Sequence, residues 1–190
     1  MAAARGVGLC LPLAAFLTVS AARDPAVRDA ESSMKRARSL PKLLNPALIS
    51  GDRMDAVDLL VEQHRLLEAQ FESLVAAVGE EARRASLAEV GDHLGVHVAS
   101  EEEVFYPAVR ARRTEDDLLE SLEEHLSLKR LLADLLTLHP ADETFQPKCK
   151  VLREQSVHHH KEEEEHLFPK VLVLLDADAR GDLGLSLIHI

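Results

Sequence analysis

The chain has 190 residues and a formal net charge of −11 at pH 7, with ten His but only five Phe, one Tyr and no Trp. Nucleic acid is not an expected partner, because the chain lacks the positive charge and the stacking surfaces that bind it. Charged residues make up 29 % of the sequence, which is too many for an integral membrane protein. Two cysteines, Cys10 and Cys149, are too few for a disulfide framework. These observations predict a soluble globular domain whose many histidines need an explanation.

Charge divides the chain into two parts. Residues 1–53 contain eight Lys and Arg against four Asp and Glu, whereas residues 54–190 contain fourteen against twenty-nine, so the net charges are +4 and −15. We expect a basic leader and linker over residues 1–53 and a folded domain over residues 54–178. Residues 179–190 end in Leu-Ser-Leu-Ile-His-Ile, which looks like translated vector sequence, and we expect this tail not to be native.

Residues 1–22 predict a secretory signal peptide, because Arg5 precedes a mostly apolar stretch that ends in small residues. The alternatives are a disordered Ala-rich leader or a true start at Met34 or Met54. No membrane span is expected, because the apolar stretch contains Pro12 and is shorter than the roughly 18 residues of a spanning helix. The protein would be exported if the signal is genuine and cytoplasmic otherwise.

Four segments of the predicted domain show helical periodicity and almost no strand alternation, which indicates an all-α fold. The expected helices cover residues 55–78, 81–106, 115–139 and 147–168. Gly79 ends the first helix, Pro107 ends or kinks the second, and the fourth ends before Pro169. The hydroxyl of Thr114 is expected to cap the third, and Pro147 to begin the fourth. Short connections make neighbouring helices antiparallel, which predicts an up-down-up-down four-helix bundle.

Polar residues interrupt the apolar face of every predicted helix. Placing successive residues about 100° apart selects His64, His97, Glu101, His125, His159 and Glu163 as inward-facing. On the third helix the predicted inward face consists of Leu118, Leu122, His125, Leu128, Leu132 and Leu136. On the fourth it consists of Cys149, Leu152, Ser156, His159, Glu163 and Leu167. Imidazole therefore lies among aliphatic side chains on all four helices.

Counting along the helices places these polar residues at one level. His64 lies sixteen residues before the turn near residue 80, and His97 lies seventeen after it. His125 and His159 are each seventeen residues from the loop centre near residue 142. The spacing also reveals an internal repeat, because each half of the domain has one lone His and one His-x3-Glu motif that ends six residues before Pro.

Four histidines and two carboxylates at one level indicate a metal site. One histidine on an apolar face is usually a core residue, but two Glu buried with four His and no metal would cost several kcal/mol per uncompensated ion. A pair of divalent ions resolves this cost if the carboxylates bridge and the imidazoles are terminal. Nitrogen and oxygen ligands inside a helical bundle favour two iron ions, with zinc or manganese as less favoured alternatives.

At these residues the chain resembles the hemerythrin-like family, also called the HHE cation-binding domain. The likeness rests on four segments in order: residues 54–64, the His97-to-Pro107 stretch, Glu124-His125, and the His159-to-Pro169 stretch. It implies a four-helix bundle holding a non-haem di-iron centre. Members of the family bind O2, sense oxygen, nitric oxide or iron, or store and handle iron. The ligands implied by the resemblance are His64, His97, Glu101, His125, His159 and Glu163.

The third helix departs from the oxygen-carrying hemerythrins, which have His-x3-His there, because Ser121 occupies the first position. This departure puts reversible O2 carriage in doubt. His93 is either a fifth nitrogen ligand or a core histidine bonded to a bridging Glu. Glu68 is either an oxygen ligand or a partner of a ligating imidazole, and His160 lies at the edge of the inward face. Three histidines are expected to lie outside the metal layer: His139, His158 and His166.

The sequence therefore predicts a protein that binds or senses O2 or a related diatomic such as nitric oxide, or that handles iron. The same centre is also compatible with an enzyme that oxidises ferrous iron or reduces peroxide or nitric oxide. In a third interpretation, zinc or manganese only stabilises the fold. No feature of the sequence indicates a protein partner.

Overall fold

The computed structural model describes residues 54–111 and 114–189. These residues form helices joined by turns and contain no strand, which confirms the all-α prediction. The predicted leader, including the candidate signal peptide, lies outside the described residues. No helix in the described part of the chain is long and apolar enough to span a lipid bilayer.

The helices follow one another with short connections. In chain order they are α1 (Ala56–Ala76), α2 (Glu80–Ser100), the π-helical segment π1 (Glu101–Phe105), α3 (Tyr106–Val109), α4 (Glu115–Thr137), α5 (Phe145–Glu162), the π-helical segment π2 (Glu163–Leu167), α6 (Phe168–Leu174) and α7 (Ala177–Leu187). The prediction that the fourth helix ends before Pro169 is wrong, and so is the alternative in which Pro107 ends the second, because helical backbone continues through both prolines. Each proline lies just after a π-helical segment, in which the backbone hydrogen bonds span five residues instead of four.

The helix starts use different local chemistry. Asp55 caps α1, because its carboxylate accepts a 2.9 Å hydrogen bond from the backbone N–H of Val57. Gly79 precedes α2 with φ of 90°, a conformation that favours glycine. Thr114 does not cap α4 as predicted, because its hydroxyl instead donates to the backbone oxygen of Val109 at 2.8 Å. Helix α5 begins two residues earlier than predicted and includes Pro147 in its first turn.

The turn between α1 and α2 is tied to the loop between α4 and α5. Arg83 donates a 2.7 Å hydrogen bond from Nη1 to the backbone oxygen of Pro140. Gln146 donates from Nε2 to the backbone oxygen of Ala77 at 3.4 Å. These contacts fix the two connections against each other at the same end of the domain.

The four long helices pack in a closed ring, in which α1 contacts α2 and α5, and α4 contacts the same two helices. Their apolar residues form two core clusters. The first cluster includes Leu60, Phe105, Leu118, Leu167 and Phe168. The second includes Leu67, Phe71, Leu94, Leu128, Cys149 and Leu152. The predicted site residues lie near the points where the chain passes from one cluster to the other.

The inward face of α4 differs from the prediction. Leu122 and Leu136 were expected in the core but are 40 % and 56 % exposed. Ser121 and Leu135 are buried in their place. The inward residues of α4 alternate steps of three and four, which is the 3.5-residue repeat of packed helices rather than the 3.6-residue repeat of a straight one. On α5, by contrast, the predicted stripe from Cys149 to Leu167 is buried throughout.

The tail that we excluded from the folded domain is helical. Helix α7 packs against α1, with Leu183 and Leu187 buried in the first core cluster. Arg180 pairs with Asp55 at 2.6 Å. Gly184 approaches the backbone so closely that a Cβ there would lie 2.0 Å from the backbone oxygen of Met54. The prediction that residues 179–190 are not native stays a prediction.

Candidate metal centre

The structure brings all six predicted ligands together in the layer between the two core clusters. Each is at most 1 % exposed: His64, His97, Glu101, His125, His159 and Glu163. The four long helices, with the π segments that continue two of them, supply these side chains. The counting argument from the sequence therefore located the common level correctly.

Glu101 lies at the centre of this layer. Its Oε2 atom is 3.3 Å from Nε2 of His97, 3.3 Å from Nε2 of His125 and 3.9 Å from Nε2 of His159. Its other oxygen is 4.0 Å from Nε2 of His64. A single carboxylate thus faces imidazoles from all four long helices, which is the arrangement that a bridging ligand requires.

Glu163 occupies a similar position. Its Oε2 atom is 3.3 Å from Nε2 of His64 and 3.6 Å from Nε2 of His159. Those two histidines come from α1 and α5, so Glu163 also lies between imidazoles of different helices. Together with Glu101 it gives the layer two carboxylates that each face imidazoles from more than one helix.

Three overlapping groups of buried side chains in the described residues could hold a metal ion. The first group is His64, His97 and His160. The second is His64, His97, Glu101 and Glu163. The third is Glu101, His125 and His159. Within each group the ligand atoms lie within 4.8 Å of one another. The first and second groups share His64 and His97, and the second and third share Glu101.

His160 was only an additional candidate in the sequence, but the structure places it inside the layer. It is 1 % exposed, and its ring stacks on that of His64 with centroids 4.0 Å apart. His160 corresponds to Val98 in the internal repeat, because each directly follows a motif histidine, and Val98 is buried as well. In both halves the residue after the motif histidine faces inward, and only in the second half can it bind a metal.

The two carboxylates begin the two π-helical segments, which the sequence reasoning missed. The N–H of Tyr106 donates to the backbone oxygen of Glu101, five residues earlier, and the N–H of Phe168 does the same to Glu163. Such wide turns are rare in helices and are frequently found at functional sites. In the sequence, each of these two Glu residues lies six residues before a proline, Pro107 or Pro169, and this repeated spacing accompanies the two π-helical segments.

Each of the four inward histidines is also held from behind by a hydrogen bond at Nδ1. His64 bonds to Glu164 at 2.8 Å, and His125 bonds to Glu102 at 3.0 Å. Because a carboxylate only accepts hydrogen bonds, Nδ1 carries the proton in both pairs. In a neutral ring this leaves the lone pair on Nε2, which points into the layer, so the rings are oriented as metal ligands.

The other two histidines complete the same pattern. His97 bonds to the side-chain oxygen of Gln63 at 2.9 Å, and His159 bonds to Glu124 at 2.9 Å. All four partners are sequence neighbours of a site residue and lie on a different helix from the histidine that they hold. The repeat is broken here, because the neutral Gln63 in the first half corresponds to the charged Glu124 in the second.

Tyr106 is a further residue of the site that sequence reasoning did not identify. Its hydroxyl donates a 2.8 Å hydrogen bond to Oε1 of Glu163 and lies 3.3 Å from Nε2 of His125. Burial, together with the negative charges of Glu101 and Glu163, raises the pKa of this phenol well above its usual value. Phe168 occupies the corresponding place in the second half of the repeat, so the hydroxyl lies on one side of the layer only.

Burial and mutual charge separate the pKa values of the site residues. Burial lowers the pKa of His97 to about 3. Burial also acts to lower the pKa of His159, but the carboxylates of Glu163, Glu101 and Glu124 overcome this and raise it to about 10. Although burial opposes it, the surrounding histidines hold the pKa of Glu101 well below its usual value. Burial and the charge of Glu101 raise the pKa of Glu163.

The other candidates lie outside these groups. His93 neither joins the layer nor contacts a bridging Glu, because its Nδ1 is 2.6 Å from the amide nitrogen of Gln70. Glu68 bonds to Arg65 at 2.8 Å and comes only within 4.0 Å of His160. His139 lies near Glu80 at 3.7 Å, towards the loop end of the domain. The side chains of the remaining two are exposed as expected: His158 and His166.

Several polar atoms of the layer are buried and have no hydrogen-bond partner among the described residues. They are Nε2 of His64 and His97, both oxygens of Glu101, Oε2 of Glu163, and both ring nitrogens of His160. Buried polar groups are rarely left unpaired, because each costs about 1–3 kcal/mol. All these atoms are metal-ligand types that converge on one layer, so the residues fit a bound cation.

Comparison with known proteins agrees with this site. The sequence matches the hemerythrin HHE cation-binding domain family over residues 55–171. The chain belongs to this family, and the predicted resemblance is confirmed. All of the candidate ligands lie within the matched segment.

A relative from Nostoc sp. strain PCC 7120, named DNA nickase, is 26 % identical over 118 residues. The aligned stretch covers 62 % of this chain and 34 % of the relative, so the chain spans about a third of that protein's length. No solved structure matches the chain significantly.

Proposed function

We propose that this protein holds a pair of iron ions in the layer between its two core clusters. In our proposal it binds or senses O2 or a related diatomic such as nitric oxide, or handles iron. The observation that carries the proposal is the set of buried ligand atoms that face one another from four helices, most of which have no hydrogen-bond partner. Cysteine is absent from the described residues that line the layer, and mixed imidazole and carboxylate ligation suits iron better than a structural zinc site.

The residues divide into two ligand sets. His64, His97 and His160 would hold one ion, and His125 and His159 would hold the other. Glu101 and Glu163 would bridge the two ions. Of the candidates from the sequence, His93 and Glu68 are not included, since His93 is bonded to Gln70 and Glu68 to Arg65.

We further propose that the long helices form the up-down-up-down antiparallel bundle expected of the family. The two core clusters support this topology. Helix α1 meets the first cluster before the second, whereas α2 meets the second and its continuation through π1 and α3 meets the first. Helix α4 and then α5, with π2 and α6, repeat this alternation. Antiparallel neighbours cross the same layers in opposite order, as observed along this chain.

When bound, iron would supply a redox couple and an open position for a small ligand. The protein's own residues would set the conditions for that chemistry. The two apolar clusters keep bulk water from the layer on both sides, and the hydrogen bonds at Nδ1 keep each ring in one orientation. The three-imidazole and two-imidazole sets differ in ligand number, so an ion held by His125 and His159 would have one protein ligand fewer.

An enzyme is the second candidate, and Tyr106 favours it. Its hydroxyl lies 2.8 Å from Glu163 and 3.3 Å from His125, so it is placed to donate a proton to a small ligand on that side. Oxidation of ferrous iron and reduction of peroxide or nitric oxide both consume or release protons. Turnover of these substrates by the iron-loaded protein would distinguish an enzyme from a protein that reacts stoichiometrically.

The name of the Nostoc relative does not lead us to propose a DNA-directed activity for this domain. Residues 54–190 carry a net charge of −15, which opposes the approach of a polyanion. The relative is also a much longer protein, of which this chain covers only 34 %.

Metal analysis of the purified full chain, combined with its optical spectrum, tests the proposal. We expect two irons per chain and charge-transfer absorption in the near-ultraviolet to visible range that changes on exposure to O2 or nitric oxide. Tightly held zinc or manganese without any spectral response would contradict it and would support a structural metal site. One iron per chain would contradict the two ligand sets given above.

A further inference from the structure

A pocket of about 130 Å³ lies between α2 and α4, beside the candidate metal centre. The apolar part of its lining is made by Leu94, Val98, Leu128 and Leu132. Gly95 also lines the pocket and is exposed, so the pocket reaches the protein surface. The exposed cation of Lys129 lies at the same surface, where it pairs with Glu102 at 2.7 Å.

Residues of this pocket are also neighbours of the metal layer. Glu102 lines the pocket and accepts the hydrogen bond from Nδ1 of His125 at 3.0 Å. Val98 directly follows His97, and Leu128 lies one helical turn beyond His125. The inner wall of the pocket is therefore built from side chains that adjoin the histidines of α2 and α4.

The internal repeat shows that this side of the layer differs from the opposite side. Val98 corresponds to His160 in the second half, and Lys129 corresponds to Glu68. Between α5 and α1 the corresponding place thus holds a buried imidazole that stacks on His64, with Glu68 4.0 Å away. Between α2 and α4 the same place holds an aliphatic side chain and the pocket.

We propose that this pocket receives a small apolar molecule of diatomic size and admits it to the His125–His159 side of the metal layer. This inference rests on the proposed function and specifies the route by which the small molecule reaches the metal layer. The size supports it, because sites for drug-sized ligands occupy roughly 300–1,000 Å³ whereas this volume suits a few small molecules. The lining supports it as well, since apolar walls attract uncharged diatomics more than water or ions.

Gly95 offers a direct test. No atom lies within 4 Å of a Cβ built at Gly95, so Gly95→Leu would place its side chain in the pocket without a backbone clash. Leu132→Phe fills the same space from α4, so an effect that both variants share cannot come from a local change in α2. Gly91→Ala is the matched control, because its Cβ would meet Leu132 at an ordinary 3.7 Å and Gly91 does not line the pocket.

Two measurements on the full chain give the result. Xenon titration followed by ¹²⁹Xe NMR reports on the pocket whether or not metal is present. Stopped-flow mixing of the iron-loaded protein with nitric oxide gives the association rate. We expect both filling variants to lose saturable xenon binding and to slow nitric oxide association by roughly tenfold or more at unchanged iron content. Gly91→Ala should behave like the natural sequence.

The outcomes separate this proposal from the function on which it rests. Nitric oxide binding that the filling variants leave at the natural rate would overturn the route but not the function. An iron-loaded protein that binds no nitric oxide would overturn the proposed function and the route together. Absence of saturable xenon binding in the natural sequence would overturn the pocket itself.

Discussion

His159 donates a 2.9 Å hydrogen bond from Nδ1 to the carboxylate of Glu124, which lies on the adjacent helix α4. The corresponding histidine of the first half, His97, has the neutral Gln63 as its partner. The two halves therefore orient their histidines in the same way but supply different charge behind them. A negative partner makes an imidazole a stronger ligand, so this pair is a suitable place to test the role of the outer hydrogen bonds.

Replacing Glu124 with Gln should preserve the orientation of His159 and remove the charge. We expect Glu124→Gln to weaken metal binding by about 10–100-fold, measured by competition with a chelator of known affinity. Glu123→Gln is the matched control, because Glu123 is exposed. Equal metal affinity in the two variants would mean that Glu124 does not strengthen His159 as a ligand.

The adjacent residues His158 and His159 test the helical register of the site. His159 is buried in the layer, whereas the side chain of His158 is 62 % exposed. We expect His159→Ala to reduce the iron content below two per chain and to lower the melting temperature of the metal-loaded protein, since bound metal stabilises the folded state. His158→Ala should retain both irons. The reverse result would show that the fourth long helix is turned by one residue.

Metal binding should release protons. In the metal-free protein the carboxylates around His159 raise its pKa to about 10, so this ring is protonated at pH 7 and must lose its Nε2 proton to bind a metal. We expect about one proton to be released from His159 on loading and metal affinity to rise by up to about tenfold per pH unit below pH 10. Calorimetry in two buffers of different ionisation enthalpy measures the proton count. Metal binding without proton release at pH 7 would contradict the raised pKa.

The full chain should not bind or cut DNA, in contrast to the name of its Nostoc relative. The net charge of −11 repels a polyanion, and the described residues offer few aromatic rings for base stacking. We expect no retardation of duplex or single-stranded DNA at physiological salt and no relaxation of supercoiled plasmid without added reductant. Retardation that weakens as salt is raised would contradict this expectation.

Helix α7 should be sensitive to a single methyl group. A Cβ at Gly184 would lie 2.0 Å from the backbone oxygen of Met54, which cannot move aside as a flexible side chain can. We expect Gly184→Ala to lower the free energy of unfolding by about 1–3 kcal/mol, measured by urea denaturation. Gly95→Ala is the control, because its Cβ meets open space and should not destabilise. An unchanged unfolding midpoint in Gly184→Ala would show that α7 is not packed against α1.

The sequence predicted the site better than its surroundings, for physical reasons. The level of the layer followed from helix rise and loop length, and both are regular. The inward face of α4 did not follow, because a fixed 100° step selected Leu122 and Leu136, whereas the packing repeat buries Ser121 and Leu135. Hydrophobicity identifies which residues prefer burial, but the partner helices decide which residues are buried.

His160 and Tyr106 illustrate a second kind of difference. Adjacent residues lie about 100° apart on a helix, so one inward-facing histidine does not show whether the next one also faces inward. The π-helical segments add a residue to a turn, and a fixed 100° step does not anticipate them. In the internal repeat, Val98 corresponds to His160, and the spacing from Glu101 to Pro107 corresponds to that from Glu163 to Pro169. These correspondences alone did not show which side chains face inward or where a helical turn widens.

The joined turns at Gly79 and Pro140 determine which changes of sequence this domain can tolerate. They lie 15 to 19 residues from the histidines, or roughly 22–28 Å along a helix, yet they set the level at which those histidines meet. A substitution on the exposed faces leaves that level intact. A single inserted or deleted residue between a turn and a ligand would rotate the ligand by about 100° and shift it by about 1.5 Å along its axis. Related domains can therefore diverge widely in composition while the lengths of these helical arms stay constant.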